Sequence, residues 1–226
     1  MIHKISPTDV PYDRLIAGIC RTPFYKHAQG CPNYHHKHNC PPQALITYLL
    51  DFEQELFVIS TAFNVGAFAE RMRIAHPEWK ESSYPDTPAK GAVFLQDMVL
   101  RLQEKHPEWP KEYFPPQSDG SWESSRNWYN PRRWQGIARK ERDTEVQTFK
   151  AMHPDLVVNT FPEAHGINVT GMMHNLDITL NWQWPPPHDP QNMTYLVAIA
   201  GHAKNSSVAE CNYCSSARNP LQKQTL

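Results

Sequence analysis

Three of the chain's five cysteines, Cys20, Cys31 and Cys40, lie in the run CRTPFYKHAQGCPNYHHKHNCPP with the spacing C-x10-C-x8-C, and His27, His35, His36 and His38 are interleaved with them. Thiolate and imidazole are the donors that zinc, iron and iron–sulfur clusters take from proteins. An inert buried cysteine needs apolar neighbours, and this polar segment supplies few. Pro32 follows Cys31, and Pro41 and Pro42 follow Cys40, which fixes the local backbone and removes competing amide donors. The pattern points to a metal centre on Cys20, Cys31 and Cys40, with His27 as a candidate further ligand. The spacing is neither the C-x2-C pairing of zinc ribbons nor the bacterial ferredoxin run, so an iron–sulfur cluster and a zinc ion both stay open.

Cys211 and Cys214 form a C-x2-C, the spacing that lets two thiolates grip one ion. Either they join the N-terminal cysteines in one closed site, or they are an incidental pair in a polar tail. No strand-then-helix frame surrounds them, which argues against a thioredoxin-like redox role. In PEAHGINV, Glu163 and His165 are of the types that act as acid and base, and His165 is also of a type that completes a metal site. The structural alternative makes Gly166 a left-handed turn residue and Glu163 a helix cap. NWYNPRRW, with Arg139, Lys140 and Arg142 beyond it, mixes aromatics with cations, but Glu141, Asp143 and Glu145 follow at once. We read it as a solvated helix face carrying packed tryptophans rather than a nucleic-acid surface. No phosphate-cradling glycine loop, H-E-x-x-H or G-x-S-x-G is present, which argues against those enzyme classes.

CRTPF followed by GCPNYHHKHNCPP resembles a family of uncharacterised bacterial and phage proteins described as predicted metal-binding, whose hallmark is a cysteine, then GCPNYG, then CPP. PEAHGINV is similar to that family's Glu-Ala-x-Gly-Ile-Asp-Val segment. The resemblance runs from about Val10 to about Ala203 and is dense in these two blocks. It implies a metal or iron–sulfur site at Cys20, Cys31 and Cys40. His35 stands where the family has glycine and Asn168 where it has aspartate. The cysteine-rich, ferredoxin-like insertion that many relatives carry before the second block is absent here, so the resemblance implies one centre and not two.

These residues must be positioned by the rest of the chain. Residues 43–52 read as a short helix and 55–63 as a buried strand. Residues 67–75 and 90–105 read as helices that both run into HPEW, at His76 to Trp79 and His106 to Trp109, where proline stops a helix. Residues 128–152 read as a long helix offering Trp134, Ile137, Val146 and Phe149 for packing. A turn entering a helix is expected over 162–176, and strands over 178–184 and 194–200. The expected fold is α/β or α+β: a small mixed sheet with surrounding helices and an N-terminal Cys/His-rich metal-binding loop region. One domain over residues 1–203 precedes a polar tail at 204–226.

With 22 Lys+Arg against 23 Asp+Glu, no global field draws the chain to nucleic acid or an anionic membrane. It lacks an apolar leader and any apolar run long enough for a bilayer, so a cytoplasmic protein without a membrane partner is expected. The functional expectation is a metal-binding protein, and a redox or modification enzyme if the centre keeps an exchangeable position. The alternative is a structural zinc-binding interaction module without catalytic activity.

Overall fold

A strand buried on both faces must be apolar at successive positions, and LFVISTAF is such a run. In the computed structural model, which describes residues 1–18, 21, 33–37, 39–78, 100–114, 134–180 and 193–204, it becomes an inner strand of the sheet, β2 (Leu56–Phe63). The sheet order is β1 (Ile2–Ile5), β2, β4 (Thr194–His202), β3 (Leu156–Asn159). All three pairings are antiparallel, with Leu56 opposite Gly201 and Phe63 opposite Thr194. The expected class holds in its α+β form. The sheet is antiparallel rather than mixed, because two short edge strands that carry no clear alternation, β1 and β3, both run against their inner neighbours. Among the described residues five helical segments accompany it: α1 (Arg14–Gly18), α2 (Val65–Ala75), α3 (described over 100–105), α4 (Trp134–Met152) and α5 (Val169–His174).

Alternation on β2 and β4 feeds two cores. Trp134, Ala138, Arg142, Val146 and Phe149 recur at steps of four and three along α4 and form its buried stripe. Phe149 and Val146 pack with Ile59, Leu156, Ala198 and Ala200, while Trp134 and Ala138 pack with Phe63, Val65 and Phe68. Ile137, expected in that packing, falls off the stripe and is exposed. On the opposite face Leu56, Val58, Val197 and Ile199 meet Ile46, Leu50, Ile167, Met172 and Met173. Short elements build this second layer: the 3-10 turns Ile46–Tyr48 and Pro162–His165, and α5.

His76 and His106, which open the two HPEW segments, each end a helix, as expected. The His76 N–H returns to Met72 O and the His106 N–H to Leu102 O. At its other end α2 is capped by Asn64, whose side chain accepts from the Ala67 N–H at 2.7 Å. The helix expected over 43–52 is only the 3-10 turn. Leu50 bridges to Ala203 and the Asp51 N–H bonds His202 O, which draws the chain onto the end of β4. Residues 178–180 lie outside the sheet, and the remainder of the strand expected there falls outside the described residues. Among the described residues no helix is long and apolar enough to cross a membrane.

One turn and a half of helix does not hold itself, and α1 is held by Asp13. Asp13 Oδ1 accepts from the Leu15 N–H at 2.7 Å, while Oδ2 meets His106 Nε2 at 2.7 Å and the Lys105 ammonium. Its own N–H donates to Gly166 O at 2.7 Å. The His106 ring stacks on Trp109, centroids 4.1 Å apart. Burial pushes the Asp13 carboxyl up, but the hydrogen bonds from Leu15, Lys105 and His106 outweigh it and hold the group below its ordinary range. Its contribution is therefore complete above the unfolded aspartate value, about 3.9, and is lost as pH falls through the lower folded value. Asp13→Asn should cost about 1.5–3 kcal/mol at neutral pH, as loss of hydrogen bonds to a charged group does, read by urea denaturation. Below pH 4 the gap between variant and parent should close, and a gap independent of pH would contradict the charge assignment.

Candidate functional site

The second motif block is built almost wholly as structure. Pro162 and Ala164 are buried in a 3-10 turn that ends at Gly166, whose φ of 85° is left-handed. A Cβ there would stand 2.7 Å from Asp13 O and 2.8 Å from Leu45 Cδ2, so only glycine fits. Ile167 is fully buried and bridges to Tyr12. Asn168 caps α5: Oδ1 accepts from the Gly171 N–H at 3.1 Å, and Nδ2 donates to Tyr113 O at 2.9 Å. Aspartate would cap equally but lacks the second donor. Gly166 is thus the turn residue that the structural alternative required, and Glu163 and His165 are the ionisable side chains of the block.

His165 Nδ1 donates to Ala44 O at 2.7 Å, 121 residues away in sequence. Because a carbonyl only accepts, this bond places the proton on Nδ1 and leaves the lone pair on Nε2. Burial lowers the imidazole pKa and the bond to Ala44 opposes it, so the ring favours its neutral form. Glu163 keeps solvent contact, yet its carboxyl is pushed above its ordinary range, chiefly by burial, with its own backbone N–H and the Arg142 guanidinium acting against. Arg142 is 5% exposed. It donates to Thr160 O and twice to Asp143 Oδ1, and its guanidinium lies 5.4 Å from the centroid of the Phe161 ring. The expectation that the Arg139 to Arg142 run is a solvated face therefore fails at Arg142, which occupies the buried stripe of α4.

Of the candidate ligands, Cys40 is described: a half-buried free thiol. Its N–H donates to Lys37 O at 2.9 Å and its carbonyl accepts from Gln43 Nε2 at 2.8 Å, while the His35 N–H reaches across to Pro41 O at 3.0 Å. The Pro41-Pro42 bond is cis. Ala44 follows Cys40 by four residues, so the His165 bond joins the CPP block to the second block. Cys20, His27, Cys31, Cys211 and Cys214 lie outside the described residues. Among the described residues no three His, Cys, Asp or Glu side chains gather as a metal site, so a centre on Cys40 must draw on ligands beyond them.

Three stretches meet at Gly166: residues 11–13, which lead into α1 and on toward Cys20; residues 44–45, which follow Cys40; and the turn that carries Glu163 and His165. Backbone bonds from the Asp13 N–H to Gly166 O and from the Asn168 N–H to Pro11 O, at 2.7 and 2.8 Å, fasten the first to the third. Sequence reasoning missed the Ala44 contact, and no local pattern encodes it. No protein-family model, curated protein or solved structure matches this chain.

Gly166→Ala should destabilise the protein by at least about 1–3 kcal/mol, the cost of a non-glycine residue in a disfavoured backbone region. Gly136→Ala is the control: Gly136 is exposed on α4 with open space around it, and the change should stabilise by up to about 1 kcal/mol. Urea midpoints that move in the same direction would contradict the steric account.

Proposed function

We propose that this is a metal-binding protein whose centre, an iron–sulfur cluster or a zinc ion, is held by Cys20, Cys31 and Cys40. The observation that carries the reading is the bond from His165 Nδ1 to Ala44 O. It brings together, across the length of the chain, the two blocks on which the resemblance to the predicted metal-binding family rests. Backbone geometry supports that resemblance at the positions where the residue types depart from it. His35, standing where the family has glycine, takes a left-handed φ of 62° that glycine adopts without strain. Asn168, standing for aspartate, keeps the helix-capping role.

The donor set fits the group. Cys40 is a free, half-buried thiol beside a proline turn, and the Ala44 carbonyl fixes the His165 ring as backbone carbonyls orient imidazoles in metal sites. A bound cluster would supply one-electron transfer, and zinc would supply Lewis acidity or purely structural cross-linking. The chain's own part is to hold three thiolates on a segment poor in apolar anchors.

Protein expressed with iron and zinc supplied and purified without oxygen should carry metal near stoichiometry by elemental analysis. Broad visible absorption would identify iron–sulfur, and a colourless zinc protein the alternative. Cys31→Ser should lose the metal, whereas Cys211→Ser/Cys214→Ser should keep it. Neither metal near stoichiometry would overturn the reading, and equal loss in both variants would move the site to the C-terminal pair.

A further inference from the structure

A neutral imidazole carries one N–H, so a histidine with both ring nitrogens against carboxylates satisfies both contacts only when protonated. His106 is so placed. Its Nε2 lies 2.7 Å from Asp13 Oδ2, 93 residues away in sequence, and its Nδ1 lies 2.9 Å from Glu108 Oε1. We infer that His106 is a proton-operated clasp: the protonated ring holds Asp13 and Glu108 together, and loss of one proton releases Glu108.

The Glu108 contact is local. In the other HPEW segment His76 Nδ1 likewise meets Glu78 Oε1, at 3.3 Å. Asp13 is the partner that the fold brings, already holding the Leu15 N–H and the Lys105 ammonium. The Trp109 ring lies against His106, nearly parallel at 10° with centroids 4.1 Å apart, and an indole face attracts a cation. Trp109 packs in turn on the cluster of Ile16, Leu102 and Phe114, which joins α1 to α3. The clasp therefore closes over the contact between those two helices.

The two carboxylates are unequal. The Glu108 side chain is 64% exposed and that of Asp13 is 5% exposed. A carboxylate released to water is rehydrated, whereas a buried one that loses a donor is left desolvated. The proton that leaves is therefore the one on Nδ1, and Nε2–H stays on Asp13. Neither carboxyl supplies a second proton of its own: Glu108 is held below its ordinary range by its own backbone N–H and then by His106, and Asp13 lies below its range despite burial. Asp13, Lys105 and Glu108 are the charged groups around the ring. Arg14, Lys111 and Glu112 on the adjoining elements are exposed, and among the described residues they make no ion pair with it.

Nitrogen-15 and carboxyl carbon-13 spectra of the full chain test the clasp between about pH 5 and about pH 9, either side of the ordinary histidine value of about 6.5. Both His106 nitrogens should be protonated at the acid end. As pH rises Nδ1 alone should lose its proton, the Glu108 carboxyl should step at the same midpoint, and the Asp13 carboxyl should shift less. Exchange of the Trp109 amide, bonded to His106 O at 3.1 Å, should rise about two- to fivefold beyond its intrinsic pH dependence, the size of an exposed ion pair. In His106→Gln the amide nitrogen stands in for Nε2 and has no proton to lose, so the Glu108 step and the added exchange should both disappear. A proton lost from Nε2, a Glu108 carboxyl that does not step with the ring, or a step that persists in folded His106→Gln would each overturn the clasp. If the variant fails to fold, the parent spectra decide by the first two outcomes.

Discussion

At Gly166 the backbone passes so close to Asp13 and Leu45 that no side chain fits between them. Most of what surrounds the candidate site depends on that crossing. Residues 11–13 and 166–168 run against each other through the Asp13 and Asn168 amides and the Tyr12 to Ile167 bridge, outside the main sheet. Asp13 then uses its side chain to cap α1 and to fasten it to Lys105 and His106. The 3-10 turn on the other strand of the crossing carries His165 to Ala44. A left-handed glycine, a buried carboxylate and one imidazole thus tie together three stretches that would otherwise pay separately to be ordered.

The sheet is the platform beneath this crossing. Ile167, Met172 and Met173 plug the turn and α5 into the face formed by Leu56, Val58, Val197 and Ile199, so displacement of the turn would open the larger apolar core. The opposite face belongs to α4, whose Arg142 breaks an otherwise apolar stripe. A buried guanidinium persists only with its donors used, and here Thr160 O, Asp143 and the Phe161 ring supply the partners. Thr160 and Phe161 immediately precede the 162–165 turn. Arg142 therefore links the helix on one face to the site on the other, and its charge reaches Glu163.

Where burial follows a local period, the fold was legible. β2, α2, α4 and β4 emerge from runs such as LFVISTAF and from the spacing of Trp134, Val146 and Phe149, and the HPEW helix ends from proline alone. Residues 43–52 misled because Ile46 and Leu50, both fully buried, share helical spacing while the backbone between them is drawn away to β4. The four-residue edge strands β1 (IHKI) and β3 (LVVN) were not legible because neither sequence alternates apolar and polar residues. Arg142 was readable in retrospect, four residues from both Ala138 and Val146, but its charge suggested a solvated face. At the site, Gly166 was legible as a turn glycine, and Asn168 as a departure from the resembled pattern. The tie between His165 and Ala44 was not, since a side chain meeting a backbone carbonyl 121 residues away places no constraint on residue type at the carbonyl.

The central claim is that the crossing at Gly166 stands by itself and that the proposed metal orders the cysteine loop beside it. Amide hydrogen exchange on the full chain, before and after chelation, tests this most directly. The Asp13 and Asn168 amides, bonded to Gly166 O and Pro11 O, should stay protected in both states. The His35 and Cys40 amides, bonded to Pro41 O and Lys37 O, should lose protection when the metal is removed. Loss of protection at Asp13 and Asn168 on chelation, or none at His35 and Cys40, would contradict the account.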